Sequence, residues 1–232
     1  MIAVWRKELH QYRTSIIGAV FLASYGGLIG YYFVVGNLLT MNGDITTLFQ
    51  SVYSTMMILI PVLTMRLFAE ERKLRTDQLL FTVPVELEKI IMGKFLAALV
   101  MFCLGGLPIL LDAAVLAFYG CFRLSETIGC IAGLFLAGSG LLAIGIFASS
   151  LTESQVVAAI VSYLIMIFLW VLDYLKYYVQ RAWIAKLLRY LSFQSHFQEL
   201  SSGIFSFSTV VYFTSLTVFM LGLTRLVLES RR

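Results

Sequence analysis

The residues that could do chemistry are few, and their spacing serves no catalytic site. Among 232 residues there are two histidines, His10 and His196, far apart and on opposite predicted sides of a membrane. That arrangement excludes an HExxH zinc site and makes no Ser/His pair. Cys103, Cys121 and Cys130 follow no metal-ligand spacing; the last two flank one hairpin, where a bridge and two free thiols are both open. No GxxxxGK[ST] phosphate loop occurs, the nearest basic candidate being Gly93-Lys94-Phe95. We therefore expect no catalytic residue, no metal site and no cofactor held by this chain, and any ATP and magnesium would be bound by another one. Asp112 is the one carboxylate set in an apolar run. A charge at the bilayer centre costs about 2.5–3.5 kcal/mol, and less in the outer half, where counting from Phe95 places Asp112. It must face protein or water, or hold a proton. Structural hydrogen bonding near Pro108 and a place on a substrate pathway are both open to it.

The elements that must position these residues are membrane helices. Six uncharged runs read Thr14 to Gly43, Ile45 to Met65, Phe95 to Leu111, Thr127 to Thr152, Ser154 to Leu172 and Leu200 to Thr224, the third resuming beyond Asp112. A hydrocarbon core about 30 Å thick needs roughly 20 apolar residues of helix, with every backbone group paired inside its own segment. Hydrophobic residues make up 60% and charged ones 13%, which leaves no room for an aqueous domain. The expected fold is all-α: one polytopic membrane domain over residues 1–232 with six transmembrane helices, in a cell membrane. The run after Arg13 is too long for a cleavable signal and reads as the first span.

Basic residues set the orientation. Arg123, Lys176, Arg181, Lys186 and Arg189 fall on one side, and the other twelve of the seventeen fall on the side of both termini, which are therefore expected to be cytoplasmic. A basic balance of this kind seeks anionic lipid headgroups, not nucleic acid. Residues 1–13 suit an interfacial helix or a basic topogenic flank, and the two are compatible. Residues 173–199 carry an amphipathic pattern, from Leu175 and Val179 to Trp183, Leu187 and Leu191, that fits an external lid or re-entrant segment as well as an interfacial anchor. Thr152 with Gln155 three residues on fits a capping box that starts the fifth span, with Glu153 serving that helix terminus. Gly129, Gly133 and Ala137, and Gly26 with Gly30, form small ridges suited to close helix packing.

The densest charge cluster lies in residues 66–94, where Glu70, Glu71, Arg72 and Lys73 are followed by apolar Leu79, Leu80 and Val85, with Pro84 dividing two short helices. A solvated hairpin and a docking surface are both open to it. The stretches Met65 to Lys73 (MRLFAEERK), Thr76 to Val85 (TDQLLFTVPV) and Gly93 to Leu96 (GKFL) resemble the signature loop of type-2 ABC transporter permeases, particularly the gliding-motility and multidrug-type subfamily. Gly145 to Ala159 (GIFASSLTESQVVAA) is similar to that family's turn between the fourth and fifth spans, and Leu191 to Glu199 with Gly203 resembles the segment before its last span. The one departure is Arg75, where the family often has glycine.

The resemblance implies a permease subunit, half of a dimeric pathway, in an exporter working by alternating access. It implies a separate ABC ATPase subunit docking on a coupling segment that includes Glu70, Glu71, Arg72, Thr76, Leu79, Leu80, Pro84 and Val85. A secondary transporter or channel without an ATPase is the alternative. It is disfavoured because such carriers place several ionisable residues in their spans and this chain offers Asp112.

Overall fold

The computed structural model describes residues 1–75, 86–119, 124–178, 183, 192–201 and 206–230. Among these the chain is helical, with no strand. Helix α1 (Ile2–Thr14) turns at Ser15 into α2 (Ile16–Phe33), which ends in a π-helical stretch over Val34–Leu38. Helix α3 (Ile45–Thr64) runs almost without interruption into α4 (Arg66–Lys73). Then come α5 (Leu87–Gly105), α6 (Pro108–Phe118), α7 (Leu124–Leu151), α8 (Gln155–Tyr178), α9 (Phe193–Ser201) and α10 (Phe207–Glu229).

Six stretches are long and apolar enough to cross a membrane: Ile16–Leu38, Ile45–Lys73, Leu87–Phe118, Ser125–Leu151, Gln155–Tyr174 and Phe207–Glu229. They follow the six uncharged runs, but the second and third reach further toward the charged end than the sequence suggested. Packing supplies the reason. Arg66, Glu8 and Lys94 are buried, so their charges do not mark the edge of the helical bundle. The second and fourth spans form its interior, with 67% and 72% of their apolar windows buried, against 17% for the fifth and sixth. Apolar side chains such as Leu164 and Phe168 on α8 therefore face outward, as lipid-facing residues do.

Local chemistry fixes the corners. Ser15 is extended and its hydroxyl accepts from Gly18 N at 3.2 Å, which starts α2. A Cβ on Gly18 would lie 2.1 Å from Tyr12 O, so only glycine permits so tight a turn from α1. The third span is interrupted at Gly105 to Pro108, where proline brings no N–H and takes the first position of α6. Asp44 caps α3 by accepting from Thr46 N at 2.9 Å.

Several sequence expectations change here. The capping box does not close: Thr152 Oγ1 accepts from Ser154 N at 3.1 Å, and Ala158 N bonds Ser154 O, so Ser154 holds the cap position. Of the two states left open for Cys130, it is a free buried thiol, directed at Ser201 O. Of the small ridges, Gly133 meets Leu200 of α9 (3.1 Å to the added Cβ) and Gly26 meets Pro108 (3.4 Å), while Gly30 faces open space. Within 173–199, α8 continues past Asp173, and α9 is buried through Phe193, His196, Phe197 and Leu200. Tyr53 of α3 stacks on Phe197 with ring centroids 4.6 Å apart. That part of the segment belongs to the core, and residues 179–182 and 184–191 lie outside the described residues.

Candidate functional site

Six helix ends meet at one end of the bundle: the ends of α4, α7 and α10 and the starts of α2, α5 and α8. Their charges are sorted by one lysine. Lys94, on the first turns of α5, is fully buried. Its ammonium donates to Glu8 Oε1 of α1 at 2.8 Å and to Leu67 O of α4 at 2.6 Å, and it pairs with Glu71 Oε2 of α4 at 2.8 Å. Three N–H bonds thus find three acceptors on two other helices, the condition under which a buried cation is tolerated. Phe68 lies beneath the ammonium, 5.0 Å from ring centroid to nitrogen.

The surroundings complete the neutralisation. Lys7 reaches Glu71 Oε1 at 2.9 Å, and Arg66 pairs with Glu70 at 3.1 Å while its guanidinium lies over the Tyr12 ring. Three cations, Lys7, Arg66 and Lys94, thus face three carboxylates, Glu8, Glu70 and Glu71. Burial works to lower the Lys7 pKa, but its hydrogen bond to Glu71 and the Glu71 charge outweigh it and hold the ammonium above its ordinary value. Burial, with the Glu8 charge, pushes the Tyr12 phenol well up, so it stays a neutral donor to Leu63 O at 2.8 Å.

The opposite flank of α4 is held by α7. In an unbroken α3–α4 helix, the N–H groups of Phe68 and Ala69 would bond the carbonyls of Thr64 and Met65. Instead Ser149 Oγ takes both, at 3.1 and 3.2 Å, and donates its own proton to Met65 O at 2.9 Å. Arg72 Nη1 donates to Ser150 O at 2.9 Å, near the end of α7. A Cβ on Gly145 would fall 2.1 Å from Thr64 Oγ1, so glycine sets the approach of α7 to α3. Two of the stretches that carry the family resemblance, Met65 to Lys73 and Gly145 to Ala159, are therefore in direct contact. Residues 7–228 match the family model described as ABC-2 family transporter protein. The chain belongs to that family. No curated protein sequence matches it.

This ABC-2 transporter protein is a multi-pass membrane transport component. Its sequence-predicted site residues separate into three groups. Glu71 turns toward Lys7 and Lys94 and Arg72 is engaged by Ser150 O, so these two tie α4 to its neighbours, while Glu70 pairs with Arg66 within α4 itself. Thr76, Leu79, Leu80, Pro84 and Val85 lie outside the described residues. Asp112 is buried on α6, and its Oδ2 has no hydrogen-bond partner among the described residues.

The surface that α4 presents is its tip: Lys73, Leu74 and Arg75 are exposed, Leu74 to 65%. They adjoin a shallow groove lined by Lys73, Glu153, Ser154, Gln155 and Val156. Arg75 has φ 55°, the left-handed conformation favoured by glycine at a helix C-terminus. The family's glycine at this position was the signal that could have located the turn.

A second feature of the ABC-2 protein is a polar stripe on α3. Thr47, Gln50 and Ser54 are exposed and Ser51 is half-buried, at positions i, i+3, i+4 and i+7 that share one helix face. The Ser51 and Ser54 hydroxyls bond back to Thr47 O and Gln50 O. An exposed glutamine amide is costly against lipid chains, so this face needs water or another protein beside it.

Proposed function

We propose that this chain is the permease subunit of an ATP-driven exporter, that two such subunits form the pathway, and that a separate ABC ATPase subunit drives it through α4 and the segment that follows. The observation that carries the reading is the seating of α4. Glu71, Arg72 and its first-turn backbone are bonded to α1, α5 and α7, so a push on its exposed tip at Lys73, Leu74 and Arg75 would move three other helices. In this reading the Thr47 to Ser54 face of α3 lines the pathway between the two subunits, while Asp112 sits away from it as a buried polar group of α6. ATP and magnesium would be held by the ATPase, since this chain has no phosphate loop.

Purification of the tagged chain from native membranes tests the proposal. The expected complex contains an ATPase chain and a second permease subunit, and hydrolyses ATP. Recovery of the chain alone, with transport driven by an ion gradient, would favour the secondary-carrier reading.

A further inference from the structure

We infer that Lys94 is a positioning residue that fastens α1 to α4, so that the two helices answer the ATPase as a single lever. The inference rests on the coupling reading above and adds to it an element, α1, that precedes every span.

Three observations carry it. The buried Lys94 ammonium bonds Glu8 of α1 and two acceptors on α4, Glu71 and Leu67 O, so neither helix can move without breaking a bond in the interior. Two further ties run directly between α1 and the α3–α4 unit: Tyr12 Oη to Leu63 O at 2.8 Å, and Lys7 to Glu71 at 2.9 Å. Finally, the α1–α2 corner at Gly18 has no slack, so motion of α1 passes to the first span. A helix lying on a membrane surface for anchoring alone would not need to bury Glu8 and Tyr12.

The test uses spin labels at His10→Cys on α1 and Leu74→Cys on α4, in a background without the native cysteines, and the double substitution Glu8→Met with Lys94→Met. The double change removes one buried charge of each sign and leaves Glu71 to Lys7, so it spares the fold where Lys94→Met alone leaves Glu8 buried without its cation. In the otherwise intact permease one narrow label distance is expected, both alone and with vanadate-trapped nucleotide in the ATPase complex. The double variant should broaden it and, without labels, lower ATPase kcat per assembled complex about fivefold or more at unchanged KM for ATP.

An equally narrow distance in the double variant, or an unchanged kcat, overturns the inference. A structural role alone would reduce the yield of complex and leave kcat per complex as it was. If the intact protein recruits no ATPase, the coupling reading falls instead, and the label pair on the permease alone still decides whether Lys94 joins the two helices.

Discussion

The hydroxyl of Ser149 lies 3.1 Å from the backbone nitrogen of Phe68, so the fourth span caps a helix that lies 81 positions earlier in the sequence. One side chain thereby satisfies two N–H groups and one carbonyl at the α3–α4 junction. Replacement by alanine leaves them without partners in a dry interior, at a cost of about 1–3 kcal/mol. Ser149→Ala should lower the thermal unfolding midpoint of the purified protein. An unchanged midpoint would mean that α4 is held by its ion pairs alone.

Gly145 and Gly30 should respond in opposite ways to the same substitution. Gly145→Ala drives a methyl group into Thr64 and should cost about 1–3 kcal/mol through overpacking, whereas Gly30→Ala meets no described residue within 4 Å. Size-exclusion profiles in detergent compare them, with aggregation expected of the first and a wild-type profile of the second. Equal behaviour would refute the close approach of α7 to α3.

Arg75 at φ 55° bears a conformational penalty that glycine relieves. Arg75→Gly should stabilise the end of α4 by about 1 kcal/mol, and Arg75→Val should destabilise it. Limited proteolysis after α4, slower for the glycine variant and faster for the valine variant, reads this directly. The reverse order would remove the left-handed turn from the account.

Much of this molecule is legible in its sequence because apolar runs are local. Each of the six uncharged runs lies within or overlaps an observed span. What could not be read is where charges go once helices pack. Glu8 and Lys94 are 86 positions apart, and each looks locally like a solvated terminal charge. Glu71 likewise reads as a docking charge until Lys94 and Lys7 are brought to it from other helices. Helix α9 reads as part of a surface segment, although Phe193 and Phe197 fill the core between α3 and α10. Helical spacing shows that a face is apolar, but not whether lipid or protein covers it.

The polar face of α3 should be wet. A membrane-impermeant thiol reagent is expected to modify Gln50→Cys and Ser54→Cys in a background without native cysteines, and to spare Leu164→Cys on the outward face of α8. Protection of both α3 positions together with labelling of Leu164→Cys would place the aqueous face elsewhere.

The most direct test of ATPase coupling is ATP hydrolysis recovered with the tagged chain when Leu74, on the exposed tip of α4, is replaced by glutamate. An exposed side chain contributes little to stability, within about 0.5 kcal/mol, so the unfolding midpoint should stay at the wild-type value. The account predicts that hydrolysis and the ATPase chain are both lost from the Leu74→Glu preparation and retained with the intact protein. Full retention of both with Leu74→Glu would contradict docking at this tip.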